Sequence, residues 1–424
     1  LGSRGNTVTT FESIGVRPRT SAALREHGFT EPNTVQQEAI PPLLARHDCV
    51  IEAPTGSGKT LAFVVPLVER LAGHQGHGAR ALIVTPTREL ATQVNAVIRK
   101  VDPALRTVIC IGGVGYGPQT GGLRNAPDVI VGCPGRLLDL ASSGLARLRD
   151  IEYLVLDEAD EMLDQGFAKD VEKIISMCPT FGSSARRQTV LASATMPDWV
   201  QRMITKHLYQ PERVRVVNEQ VPALEHGVMS VVKSQKIDAL SRLLRRQRAT
   251  ELNQTIVFHR TKHGAKKLVR DLLRMGHTAG ELQGNLSQNA RDRALDSFRA
   301  NHTEVLVATN VAARGIDVVN VGLVVNFELP ETPQWLTHRV GRTARNGNEG
   351  KAITFLSEED GEQWRKLRRL GAPALPEIDG TLLLTTGEWK LGAPRRETTP
   401  APAPGRPSGR RRPQYRRTGA AARR

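Results

Sequence analysis

Short apolar runs punctuate the first half of the chain at residues 49–52, 81–85, 108–111, 128–132, 151–156 and 189–192. Each is the length of a strand buried on both faces. Stretches of helical period separate them, residues 61–71 among them. Such alternation predicts βα units and a parallel sheet. A second series follows at 255–258, 304–308, 322–326 and 352–355, with helical patterns over 261–275 and 287–300 between its members. The fold class is therefore α/β: two successive parallel-sheet domains flanked by helices, over residues 1–214 and 227–375. Residues 209–226 hold two prolines and no clean helical period, so 215–226 is expected to be a linker. After residue 370 the pattern decays. From residue 393 onward the chain is rich in Pro, Gly, Ala and Arg with almost no large apolar residues, so a tail over 376–424 is expected to be disordered.

Composition narrows the class. At 424 residues the chain exceeds what one ordinary core supports. No run approaches 18 apolar residues, so no transmembrane helix and no membrane partner are expected. The net charge is +16, and residues 395–424 hold ten arginines against a single acid, Glu397. A chain so charged favours a polyanion, and without a basic amphipathic helix bearing aromatic anchors nucleic acid is the leading partner. Cys49, Cys110, Cys133 and Cys178 form no CxxC pair. Their spacing suggests no disulfide framework and fits a reducing, intracellular compartment, with the cytoplasm the leading expectation.

Two strings carry chemistry. Ala53-Pro54-Thr55-Gly56-Ser57-Gly58-Lys59-Thr60 joins the first apolar run to a helical segment. Its glycines let backbone N–H groups approach phosphate oxygens. Lys59 can reach the β- and γ-phosphates, and the Thr60 hydroxyl can ligate Mg²⁺. Asp157-Glu158-Ala159-Asp160 ends another apolar run, at the strand edge where open α/β sheets bind ligands. Asp157 is the candidate metal partner and Glu158 the candidate general base. Taken alone, the acids would also suit a helix N-terminus. Beside a phosphate loop they predict nucleotide hydrolysis.

These strings, with others in the same order, resemble the DEAD-box RNA helicases, a superfamily 2 group with two RecA-like domains. The resemblance covers about residues 11–357. Gly28 to Gln36 is similar to the family's adenine-reading motif, which implies that Gln36 bonds the adenine edge and Phe29 stacks on it; Phe11 fits the motif's isolated aromatic. Asn33 and Thr34 stand where Thr-Pro is usual. Ser193-Ala194-Thr195 resembles the motif that couples hydrolysis to strand separation by bonding the acidic element, Asp160 included. His338-Arg339-Val340-Gly341-Arg342-Thr343-Ala344-Arg345 resembles the last motif, which makes Arg342 and Arg345 candidate fingers for the γ-phosphate and His338 and Arg339 coupling residues. Ala344 replaces the more usual glycine. Residues 313–317 resemble the interdomain motif, which implies that Gly315 and Asp317 complete the ATP site.

The resemblance also implies an RNA track. Thr87, Arg88, Gly112, Gly113, Gly135 and Arg136 match it in the first domain. Residues 258–261, Gln288, Arg291, Thr309 and Asn310 match it in the second. Hydroxyls, glycine N–H groups and a few arginines suit a sugar-phosphate backbone. With 4% aromatic residues, base stacking is not expected to dominate. Two departures fall on this track: Cys133 replaces a usual threonine and Asn310 a usual aspartate. The arginine tail is expected to add a salt-dependent RNA contact or to hold ribonucleoprotein or ribosomal partners. The expectation is a monomeric, RNA-stimulated ATPase using ATP and Mg²⁺ to unwind short duplexes or remodel ribonucleoproteins, in ribosome assembly or RNA processing or decay. The alternatives are a non-catalytic ATP-gated RNA clamp, a DNA helicase of the same superfamily, and a passive RNA chaperone acting through the tail.

Overall fold

The computed structural model describes residues 9–73, 78–180, 187–216, 224–310, 318, 321–344 and 350–378. Seven strands form the first sheet: β1 (Cys49–Glu52), β2 (Ala81–Val84), β3 (Thr107–Cys110), β4 (Val129–Gly132), β5 (Tyr153–Leu156), β6 (Gln188–Ser193) and β7 (Glu212–Arg215). Their spatial order is β3-β4-β2-β5-β6-β1-β7, and every pairing is parallel. Six more form the second: β8 (Leu224–Ser230), β9 (Gln254–Phe258), β10 (Ala279–Leu282), β11 (Val305–Ala308), β12 (Val321–Asn326) and β13 (Gly350–Leu356). Their order is β10-β11-β9-β12-β13-β8, again all parallel.

Side-chain alternation explains why these runs are apolar throughout. On β2, Ala81 and Ile83 join one buried cluster while Leu82 and Val84 join another. The same split divides Val155 from Leu154 and Leu156 on β5. Helices cover both faces, so neither face of a central strand meets water. In the second sheet Val257 and Val325 face one cluster, Ile256 and Val324 the other.

Three features differ from the sequence expectation. The strands β7, β8 and β10 were not foreseen. β8 begins at Leu224, and Arg215 ends β7, so both ends of the stretch read as a linker are strand. The start of the expected disordered tail is also pinned. Val228 N–H donates to Pro376 O (2.9 Å), Ile378 N–H donates to Val228 O (2.7 Å), and Ile378 is buried against the second core. One apolar side chain, two backbone bonds and the Ser230 hydroxyl donating to Glu377 (3.2 Å) hold residues 376–378 to β8. The rest of the tail, 379–424, lies outside the described residues, as do the linker residues 217–223.

The two sheets hold the candidate residues at their C-terminal edges. In the first, the phosphate loop follows β1, the acidic string follows β5 and Ser193-Ala194-Thr195 closes β6; these strands are neighbours. Thr87 and Arg88 follow β2, Gly112 and Gly113 follow β3, and Gly135 and Arg136 follow β4, another set of neighbours. One edge is thus divided into two halves of different chemistry.

Candidate active site and nucleic-acid interface

The phosphate loop is braced from outside. Gly58 sits at φ +86° at the start of the helix Lys59–Leu71, and a Cβ there would collide with the Asn33 amide. That close approach lets Asn33 Nδ2 donate to Ser57 O (3.0 Å) and Gln36 Nε2 to Gly58 O (3.3 Å). Asn33 and Gln36 also cap the helix Thr34–Leu44 reciprocally. Asn33, a departure from the usual threonine, therefore both caps a helix and grips the loop. Gln36 is buried, Phe29 is half-buried against the core, and Phe11 lies within the core. Lys59 is buried too, its Nζ donating to Ala53 O (2.6 Å) and Pro54 O (2.8 Å). Pro54, Thr55 and Gly56 are exposed, and Ser57 and Thr60 partly so.

The acidic string is strained and crowded. Glu158 lies in the left-handed region at φ +50°, ψ +55°, a conformation that costs a non-glycine residue about 1–3 kcal/mol and is typical of functional sites. Burial, then the neighbouring Glu158 charge, raises the Asp157 carboxyl to about 7, while Lys59 opposes the rise. Asp160 is tied to β6: Thr195 donates to its Oδ2 from N–H (2.9 Å) and from Oγ1 (2.6 Å). Asp160 N–H donates to Ser193 Oγ (3.2 Å), and Ser193 Oγ donates to Thr195 O (2.8 Å). Asp160, Ser193 and Thr195 form one hydrogen-bonded unit.

In the second domain Arg339 is 1% exposed. Its Nε donates to Asn310 Oδ1 (2.7 Å) and its Nη1 to Asn326 Oδ1 (3.1 Å) and Glu328 O (2.7 Å). Burial lowers its pKa to about 10, with Glu331 and Glu328 opposing. Asn310 Nδ2 donates to Glu331 (2.9 Å). Both ends of the Asn310 amide are thus engaged within the second domain, against Arg339, a different setting from the RNA contact expected of it. His338 lies beside Arg339 on the helix Pro333–Val340, and Arg342 is buried just beyond. Gly315, Asp317 and Arg345 lie outside the described residues.

The expected RNA-track residues bring the domains together. Arg88 lies across Gly113, where φ is +74° and any Cβ would meet its guanidinium. From there Arg88 Nη1 donates to Gln288 (3.2 Å). Glu89 and Arg291 form an ion pair across the interface at 2.6 Å, with side chains 8% and 9% exposed. A cavity of about 290 Å³ opens beside these contacts, lined among others by Thr87, Cys133, Gly135 and Arg136. Thr87 caps the helix Arg88–Val101 through Leu90 N–H (3.3 Å). Thr309 is buried at the residue following β11. Cys133 occupies the N-cap position of the helix Pro134–Ser142 but makes no side-chain cap bond, and burial pushes its thiol up to about 12. Arg136 is drawn inward: its side chain is 11% exposed and its Nη1 donates to Val114 O (3.1 Å).

Two residues escaped sequence reasoning. Glu89 carries the interdomain ion pair, which nothing in its local sequence signals. Gln119, 3% exposed, accepts from Ile111 N–H (3.1 Å) and donates to Ile111 O (3.1 Å), Val114 O (3.3 Å) and Gly115 O (3.1 Å). It holds the glycine loop after β3 in shape. A glutamine a few residues beyond paired glycines is the signal, weak without a structure.

Comparison with known proteins agrees with this geometry. Residues 33–203 match the DEAD/DEAH box helicase family and residues 235–347 the helicase conserved C-terminal domain. The DEAD-box ATP-dependent RNA helicase CshA of Geobacillus kaustophilus is 39% identical over 382 residues, 87% of this chain and 80% of that one. The ATP-dependent RNA helicase CshA of Listeria monocytogenes is 39% identical over 83% of this chain and 67% of its own length. Among solved structures, S. cerevisiae Dbp5 bound to RNA and ADP BeF3 aligns with TM-score 0.77 at 27% identity, covering 89% of this chain and 99% of that one. Mss116p bound to ssRNA and AMP-PNP aligns with TM-score 0.77 at 27% identity, covering 88% and 80%. Two parallel-sheet domains of this kind are the RecA-like pair of an ATP-driven helicase. The chain belongs to the DEAD-box ATP-dependent RNA helicases, enzymes that hydrolyse ATP. Among the described residues no helix is long and apolar enough to cross a membrane.

Proposed function

We propose that this helicase couples RNA-stimulated ATP hydrolysis to local opening of short duplexes or remodelling of ribonucleoproteins. The observation that carries the proposal is the divided edge of the first sheet, with the second domain docked against it through Arg88–Gln288 and Glu89–Arg291. In this reading the β5-β6-β1 half takes ATP and the β3-β4-β2 half takes RNA. Gln36 and Phe29 receive adenine, the loop from Ala53 to Thr60 receives the phosphates, and Gly315 and Asp317 complete the site from the second domain. Glu158 takes the proton of the attacking water. Arg342 and Arg345 meet charge on the transferred phosphoryl group. The Thr60 hydroxyl and the Asp157 carboxylate are hard oxygen donors of the kind Mg²⁺ takes. The crowding that raises Asp157 is the environment a divalent cation would relieve. Bound there with the nucleotide, Mg²⁺ would neutralise phosphate charge.

Asp160, Ser193, Thr195, His338 and Arg339 transmit the state of the cleft. Thr87, Arg88, Gly112, Gly113, Gly135, Arg136, Gln288, Arg291, Thr309 and Asn310 grip RNA or shape the surface that does, with little sequence preference. The bacterial source of the CshA relatives supports a cytoplasmic setting, and the process we propose is ribosome assembly or RNA processing or decay. Glu158→Gln should cut kcat by about 10²–10⁴-fold while leaving ATP binding intact, as read by RNA-stimulated ATPase and nucleotide titration. Wild-type protein that turns over no ATP with any RNA would sink the reading.

A further inference from the structure

The loop after β3 presents an aromatic ring that nothing in the ATP or RNA scheme uses. Tyr116 opens the helix Tyr116–Arg124 and is 50% exposed. Tyr116 and Tyr209 are the exposed aromatics among the described residues. They lie at opposite edges of the sheet: Tyr209 N–H bonds Asp48, just ahead of β1, whereas Tyr116 follows the C-terminal end of β3. Tyr116 is therefore on the edge that carries Arg88, Gly113 and Gly135.

Its surroundings hold the ring and keep one side clear. The Arg136 guanidinium sits 4.1 Å from the ring centroid and is itself fixed by Val114 O (3.1 Å) and by Asp139 (3.9 Å). The Tyr116 hydroxyl bonds the same Asp139. Gln119 locks the turn beneath. Glycines flank the tyrosine at 115 and 117, and a Cβ added at either would meet nothing within 4 Å. One face of the ring is thus backed by a cation, and its neighbours contribute no side chains to crowd the approach. Arg136 also lines the interdomain cavity, which makes the ring continuous with the proposed track.

We infer that Tyr116 is a stacking platform for one nucleobase of single-stranded RNA, at the outer end of the first domain's track. The inference rests on the RNA reading above and sharpens it. Arg136 is then a positioning residue for the ring rather than a direct phosphate contact. A base stacked at the sheet's edge strand would anchor one end of a strand whose remainder is held through its backbone. Stacking is indifferent to base identity because every base has a π-face, so a sequence-independent grip is preserved.

The test compares binding of a uridine decamer and of the same backbone without bases, by fluorescence anisotropy in the presence of an ATP analogue. Tyr116→Ala should weaken decamer binding roughly tenfold or more, and Tyr116→Phe and Tyr116→Trp should bind within about twofold of wild type. On the abasic strand all four proteins should bind alike. Equal decamer affinity for wild type and Tyr116→Ala overturns the inference. So does an equal loss on the abasic strand, which would assign Tyr116 to holding Arg136 alone. Wild type that binds neither strand would instead sink the RNA reading itself.

Discussion

Ala344 holds a backbone angle of φ +54°, in the region where a Cβ costs roughly 1–2 kcal/mol. It stands where the family usually has glycine, a change that looks slight in sequence and acquires a cost only once the angle is known. It is adjacent to Thr343 and two residues from Arg342, so the strain sits beside a proposed finger. Ala344→Gly should raise second-domain stability by about 0.5–1 kcal/mol after glycine's extra chain entropy is discounted, read as a higher urea midpoint with unchanged slope. A fall in the midpoint would show that the angle is imposed at no cost. Glu158 shares the same region at φ +50°. Relieving that strain with glycine would also remove the proposed base.

Among the elements, the helix Pro134–Ser142 begins without a side-chain cap because Cys133 offers a thiol where a hydroxyl would serve. Cys133→Thr should stabilise the first domain by about 1 kcal/mol, measured by urea denaturation. No gain would mean that the orphan N–H groups of this helix are satisfied in another way. With its thiol pushed up to about 12, Cys133 should also resist alkylation at neutral pH. The central elements were legible in sequence because strands buried on both faces must be apolar at every position. The missed strands β7, β8 and β10 all lie at sheet edges. There one face or one flank meets water, and sequences such as Glu212-Arg213-Val214-Arg215 bury a single side chain. The candidate phosphate loop and acidic string could be placed at strand ends from spacing alone. The clamp by Asn33, the turn lock by Gln119 and the inward turn of Arg136 could not, since each depends on contacts between segments far apart in the chain or on a loop's particular path.

At the scale of the molecule, the two domains meet through a buried ion pair. Removing one partner leaves the other charge desolvated, a loss of about 3–5 kcal/mol for pairs of this kind. Glu89→Gln should therefore shift the domains apart and weaken RNA-stimulated turnover, and so should Arg291→Gln. The exchanged pair Glu89→Arg with Arg291→Glu should recover much of the interdomain distance distribution, as seen by dye-pair energy transfer. If the single and exchanged variants keep the wild-type distribution, the pair contributes nothing to closure.

The divided edge of the first sheet has a thermodynamic meaning as well. Strands lie roughly 4.8 Å apart, so β3 and β1, five places apart in the order, are separated by roughly 24 Å of stiff parallel sheet. The sheet acts as a ruler, fixing the span from the outer strand of the proposed RNA half to the outer strand of the proposed ATP half, which neither ligand can shorten. In the reading proposed above the second domain completes both halves, so the two ligands would communicate by sharing its docking free energy. In such a cycle the factor by which ATP tightens RNA must equal the factor by which RNA tightens ATP. The helicase's affinity for nucleotide is then a quantitative report on the strand it holds.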